Sequence, residues 1–203
     1  MMYVENTVGS LSNLLVNPNS SYILGLWGAD KYERTSSIGL SNTDLNLIRR
    51  FAEYLLSRFP KDRLRLRIYN GEVPKMFECL RSSCCRSSKN KLPAYHIYVN
   101  SRPLLREFRT ALACRNLLVK TALDAYLAGR FDGDGSISAY RKYCRIVYGN
   151  CDDLVKDRLL LSDLKTSVYK YHKAGTYCLY FSEVTLDRFL ERIKPYSLSN
   201  KLQ

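Results

Sequence analysis

The sequence predicts an α/β chain, of the α+β kind, built from two pseudo-symmetric halves. Three observations point there. The stretch "ILGLWGADK", Ile23 to Lys31, lies over "LAGRFDGDG", Leu127 to Gly135, position for position. Gly25 falls on Gly129, Ala29 on Gly133 and Asp30 on Asp134, an offset of 104 residues in a chain of 203. After each copy, helical and strand-like apolar periodicities follow in a similar order. The halves also end alike, since Phe108 and Phe189 each precede a lysine, Lys120 or Lys201, by twelve residues.

The elements of the first half are expected in this order. A motif helix spans about 20–31. "TSSIGLS" is strand-like, with Ile38 and Leu40 two apart, although this first strand pair looks shortened. "NTDLNLIRRFAEYLLSRFP" has a cap-like Asn42 or Thr43 and apolar Leu45, Ile48, Phe51, Leu55 and Phe59 at helical spacing, closed by Pro60. "RLRLRIY" alternates, with Arg63, Arg65, Arg67 and Tyr69 on one face and Leu64, Leu66 and Ile68 on the other. The polar, basic segment 70–91 reads as a long hairpin loop, a length that is usually functional or mobile. Strand "AYHIYVN" and helix "RPLLREFRTALA" complete this half, taken as residues 1–116.

In the second half, residues 117–203, a motif helix spans about 119–134. Strands "SISAY" and "YCRIVYG", helix "CDDLVKDRLLLS", strands "TSVYKYH" and "TYCLYFS", and helix "TLDRFLERI" follow.

Charge is the most informative bulk property. Lys plus Arg number 32 against 19 Asp plus Glu, a net of +13. That balance favours a polyanionic partner, nucleic acid first and an anionic membrane surface second. A merely basic soluble protein is the plain alternative. No apolar run approaches the ~20 residues of a membrane span. The N-terminal stretch has neither a basic n-region nor a continuous apolar segment, so an intracellular protein, cytoplasmic or of an organellar matrix, is expected. The seven cysteines are scattered among only two histidines, His96 and His172, with no zinc-like spacing. Reduced thiols are the simplest reading.

The motif helices carry the chemistry. Small residues at i and i+4, Gly25 with Ala29 and Gly129 with Gly133, line one helix face and let another backbone approach closely. Either the two motif helices pack on each other, or each meets a strand of its own half. Mutual packing of parallel helices would gather Asp30 and Asp134 at negative helix ends, where two carboxylates repel. A divalent cation removes that repulsion. Carboxylate and carbonyl oxygens suit Mg²⁺, and this makes Asp30 and Asp134, with the carbonyls of Ala29 and Gly133, the candidate metal ligands.

The two motifs resemble the LAGLIDADG signature of homing endonucleases, in the single-chain form with two motifs. The resemblance covers essentially the whole chain; the second copy is close to the full signature, and the first is weaker. It implies two αββαββα halves whose antiparallel sheets form a saddle over the DNA major groove, with the motif helices packed at the interface. It also implies intron homing, two or more Mg²⁺ ions (Mn²⁺ or Ca²⁺ substituting for binding), a monomer acting on double-stranded DNA, and catalytic Asp30 and Asp134. Lys120 and Lys201 resemble the family's basic residues near the metal pocket. Two departures stand out. Asp132 matches an acid often found two residues before the catalytic one, but the first copy has Gly28, and Lys31 stands where the second copy has Gly135. Lys31 could pair with Asp30 or reach a phosphate.

DNA contacts are expected from the sheet face not covered by helices. Candidates are Arg63, Arg65, Arg67 and Tyr69 in one half, and Lys165, Ser167, Tyr169 and Tyr171 in the other, with Arg141 and Lys142 at a hairpin tip. Arg81, Arg86, Lys89 and Lys91 of the long loop reach beyond the sheet. Arginine can read guanine or only hold phosphate. Two further readings keep the fold: an RNA-binding intron maturase, and a non-cleaving DNA-binding protein. An intein is disfavoured, since residue 1 is Met and the chain ends in Asn-Lys-Leu-Gln.

Overall fold

The computed structural model describes residues 7–34, 36–86, 92–140, 142–171, 174–198 and 202. The chain divides into two compact bodies, residues 1–12 with 30–113 and residues 13–29 with 114–203. The first motif helix therefore lies in the second body up to Ala29, and Asp30 begins the long segment of the first.

Two helices, α1 (Thr7–Val16) and α2 (Pro18–Asp30), lead into the first body. It continues with β1 (Lys31–Arg34), β2 (Ser37–Asn42), α3 (Leu45–Leu56), β3 (Arg65–Tyr69), β4 (Arg81–Cys85), β5 (Ala94–Asn100) and α4 (Arg102–Ala113). The second body then adds α5 (Lys120–Asp134), β6 (Gly135–Ile137), β7 (Tyr143–Tyr148), α6 (Cys151–Leu160), β8 (Thr166–Tyr171), β9 (Thr176–Ser182) and α7 (Glu183–Ile193). From α5 onward the order is α-β-β-α-β-β-α, and α2 to α4 repeats it with one added strand.

In the first body the strands lie in the order β1-β2-β5-β3-β4. Alternation decides which face is covered. Ile38, Leu40, Leu66, Ile68, Ile97 and Val99 are buried, and Phe51 of α3 and Phe108 of α4 join them in the core. Burying each such side chain contributes about 1.5–3 kcal/mol. The cap of α3 is Asp44, whose side chain accepts from Asn46 N at 2.8 Å, rather than Asn42 or Thr43. Asn42 instead accepts from Asp44 N at 2.7 Å.

Two expectations are corrected here. The first strand pair is not shortened, because β1 and β2 pair over four positions while β6 and β7 pair over three. Segment 70–91 is not a plain loop either. It holds a single helical turn, Lys75–Phe77, with Phe77 buried, and then β4, which pairs parallel to β3 from Arg65↔Arg81 to Tyr69↔Cys85.

The second body has an antiparallel sheet in the order β6-β7-β9-β8. Its covered face carries Cys144, Ile146, Leu179 and Phe181. The Phe181 ring stacks on Phe189 of α7 at 3.9 Å, and Phe131 of α5 meets Phe189 edge-on at 5.9 Å. Asn150 caps α6 by accepting from Asp153 N at 2.8 Å. Among the described residues no helix is long and apolar enough to cross a membrane.

Candidate functional site

The motif helices α2 and α5 meet within the second body at the level of their glycines. A Cβ on Gly25 would overlap the carbonyl oxygen of Tyr126 and stand 3.1 Å from Arg130 N. A Cβ on Gly129 would overlap the carbonyl oxygen of Tyr22 and stand 2.7 Å from Leu26 N. The approach is backbone on backbone, reciprocal, and it explains why a helix-destabilising residue stands at both places. The helices run parallel, since Val119 N, just before α5, donates to Leu15 O, just before α2, at 3.3 Å. The partners Ala29 and Gly133 are each half-buried one turn further on.

Each helix closes on its aspartate, and both Asp30 and Asp134 are half-buried. In the first body, Asp30 Oδ2 accepts a short hydrogen bond from Asn42 Nδ2. Asn42 is thereby fixed from both sides, by Asp30 and by the turn that starts α3. This orienting role had no signal in the sequence beyond a polar residue before a helix. Lys31 Nζ lies 3.9 Å from Glu33 Oε1, and Glu33 also receives Arg109 Nε at 3.0 Å.

Asp132 stands apart from the two helix-end acids. It is 1% exposed and accepts from the Tyr22 hydroxyl at 2.8 Å, from Leu198 N at 2.7 Å and from Ser197 Oγ. It ties the first motif helix and the C-terminal segment to α5. The residue after Asp134, Gly135, is held against Phe131, whose ring and carbonyl oxygen a Cβ would overlap.

Beneath α5 lies a buried charge cluster that the sequence did not announce. Asp157 is wholly buried and takes Arg115 Nε at 2.7 Å and Arg130 Nε at 3.4 Å. It also accepts from the hydroxyls of Tyr126 at 3.0 Å and Tyr148 at 3.1 Å. Arg130 stacks over the Tyr148 ring at 4.5 Å. Burial raises the Asp157 pKa, against the pull of Arg130 and Arg115. Arg115 gains a second anchor at Asp153 Oδ1, 2.9 Å away.

The lysines separate. Lys120 opens α5 and Asp134 closes it, so the fifteen-residue helix puts about 21 Å between them, and Lys120 does not stand beside Asp134. It lines a hollow with Arg188 and Arg192 instead. Lys201 lies outside the described residues.

The DNA-contact candidates also divide. Arg65, Arg67 and Tyr69 alternate along β3 on the face opposite Leu66 and Ile68, in register with Tyr98, His96 and Ala94. Arg63 does not belong to that strand. It ends a single helical turn, donates to Asn100 O at 2.9 Å and lies 5.0 Å over the Phe59 ring. Arg65 donates to Leu64 O at 3.0 Å and to Asp62 O, and Tyr69 packs on His96 at 4.9 Å. Arg81 on β4 and Arg86 just after it are exposed. In the second body Lys142, Lys165, Tyr169 and Tyr171 are exposed, with Lys165 one residue before β8. Lys89, Lys91 and Arg141 lie outside the described residues. Among the described residues no group of three or more His, Cys, Asp or Glu gathers as a metal cluster.

No family model matches the sequence, and no curated protein does. Solved structures do. I-DmoI in complex with DNA and Mn is similar over 87% of this chain and 96% of its own, at 19% identity and a TM-score of 0.61. A variant of I-DmoI with its target DNA and Mn is similar over 95% of this chain and 98% of its own, at 18% identity and a TM-score of 0.62. The N-terminal LAGLIDADG domain of DUF199/WhiA is similar over 95% of this chain and 90% of its own, at 16% identity and a TM-score of 0.56. The chain has the LAGLIDADG fold.

Proposed function

We propose that this chain is a site-specific endonuclease that hydrolyses both strands of a duplex DNA target with divalent cations. The observation that carries the reading is the doubled helix-end acid. Asp30 and Asp134 close two motif helices whose backbones touch at Gly25 and Gly129, on a fold that I-DmoI, a homing endonuclease, also has.

The donor set fits a hard cation. Asp30 and Asp134 offer carboxylate oxygens, and Ala29 and Gly133 offer carbonyl oxygens at helix C-termini. Mg²⁺ binds through one or two carboxylates and keeps several waters, so no cluster of three acids is needed. Neighbouring I-DmoI structures hold DNA with Mn, Mg or Ca, which supports a divalent ion here. When bound, such an ion supplies positive charge to the attacking and leaving oxygens of an in-line displacement. Asn42 holds the Asp30 carboxylate in place. Lys201 is assigned to stabilising charge that develops on the phosphate. The +13 net charge, with Arg65, Arg67 and Arg81 on one sheet face, supports a DNA partner held largely through phosphates.

The experiment is Asp134→Asn, assayed for binding and for cutting. Cutting is expected to disappear while duplex binding stays within a few-fold of wild type and keeps its steep salt dependence. Loss of binding together with cutting would make Asp134 structural and overturn its assignment.

A further inference from the structure

The outward faces of the two sheets differ in chemistry. In the first body that face carries three guanidinium groups, Arg65 and Arg67 on β3 and Arg81 beside Arg65 on β4, set among Tyr69, Tyr98 and His96 of the same rows. In the second body the corresponding rows are aromatic. Tyr143 faces Ser182, Arg145 faces Tyr180 and so Ser167, Tyr169 faces Cys178, and Tyr171 faces Thr176. Tyr143, Tyr169 and Tyr171 are 41%, 58% and 42% exposed, far above what a core tyrosine shows.

These tyrosines are organised. The Tyr180 ring is the centre, 4.9 Å from Tyr169 and 5.5 Å from Tyr143. Arg145 is the one arginine or lysine in those rows among the described residues, and it turns inward on the cluster. Its Nε donates to Ser136 Oγ at 3.0 Å and its Nη1 to the Tyr171 hydroxyl at 3.2 Å, with the Tyr180 hydroxyl at 3.5 Å. The Tyr171 and Tyr180 hydroxyls share a further hydrogen bond. The tyrosines line an open hollow of about 650 Å³ whose two charged lining residues, Lys142 and Glu183, offset one another, so it carries no net positive charge to draw a phosphate.

Resting on the endonuclease reading, we propose that the two halves read DNA by different means. The first sheet grips through arginine, with phosphates and guanine as partners. The second sheet reads base edges through its tyrosine face, and its half-site is thymine-rich. The reason is chemical. Ring edges pack against the thymine C5-methyl group, and a phenol can donate to or accept from a base edge. Neither contact releases counterions, so the tyrosines add affinity and sequence preference without adding to the salt slope.

The test is a duplex selection in Ca²⁺ with wild type, with Tyr143→Ala/Tyr169→Ala and with Arg67→Ala/Arg81→Ala, each followed by affinity against salt. All four positions lie on strand surfaces, and circular dichroism checks that each variant is folded. Wild type is expected to select a duplex with one thymine-rich half. The tyrosine pair should lose about tenfold in affinity at unchanged salt slope and relax preference in that half alone. The arginine pair should lower the slope by roughly one to two. Duplex binding by wild type with tyrosine variants that match it, or that lose slope, overturns this inference and leaves the endonuclease reading standing. A wild type that binds single-stranded RNA and no duplex overturns both.

Discussion

The hydroxyl of Tyr22, on the first motif helix, donates to Asp132 Oδ2 on the second at 2.8 Å. Asp132 lies only two positions before the helix-end acid Asp134, yet its carboxylate is occupied by Tyr22, Ser197 and Leu198 N and the residue is 1% exposed. It is an anchor for the C-terminal segment rather than a cation ligand. Its counterpart in the first copy, Gly28, has no side chain for such a task. Asp132→Asn leaves one acceptor oxygen for three donors and is expected to cost about 1–3 kcal/mol in urea unfolding. The Leu198 amide should also exchange faster. Unchanged stability and exchange would remove the anchor from the account.

The glycine pair at the crossing gives a second expectation. Gly129→Ala gains about 0.5–1 kcal/mol of helix propensity but forces a methyl into the Tyr22 carbonyl, at the upper end of the ~1–3 kcal/mol that overpacking costs. Net destabilisation is expected in thermal or chemical unfolding. Gly149→Ala is the control, since a Cβ there meets nothing within 4 Å, and it should stay within about 0.5 kcal/mol of wild type. Equal effects at both positions would contradict the close crossing.

The buried cluster around Asp157 is a third. Asp157→Asn leaves Arg115 and Arg130, each 3% exposed, without their shared carboxylate. A loss of about 3–5 kcal/mol is expected. Replacing the two arginines by Met in the same chain should recover much of it, because removing a buried charge set together is far cheaper than removing one partner. No recovery would show that the arginines act through other contacts.

Thiol reactivity is a fourth. Burial pushes the Cys144 thiol up to about 12, and Cys178 is 1% exposed. Native protein treated with an alkylating reagent at mildly alkaline pH should be modified at the exposed Cys79, Cys84 and Cys151 and spared at Cys144 and Cys178. Mass spectrometry of the digest decides it. Rapid labelling of Cys144 would contradict the packing of β7.

Much of this arrangement is legible in the residues. The 104-residue repeat and the strict alternation of "RLRIY" give the order of elements, because helix and strand periods differ and each leaves its own apolar pattern. The glycines at 25 and 129 give the close crossing, since little else justifies Gly inside an apolar helix. What stays hidden is tertiary. Arg63 continues the alternation of β3 in sequence, yet Pro60 starts a helical turn that takes it out of the strand. Strand β4, "RSSCC", lacks any buried face and so has no apolar pattern to announce it. Lys120 sits twelve residues after Phe108, as Lys201 does after Phe189, but it opens a helix, and a spacing rule cannot see direction. The contacts of Asp132 with Tyr22 and of Asp157 with Tyr126 join residues 110 and 31 positions apart, beyond the reach of any local pattern.

The most direct measurement is a cleavage selection with purified protein and a randomised double-stranded DNA library, run with Mg²⁺ and with EDTA. The account predicts paired cuts on opposite strands at one recurring sequence, present with Mg²⁺ and absent with EDTA. Enrichment of a bound sequence that stays intact in Mg²⁺ would contradict it and leave a DNA-binding protein on the same fold.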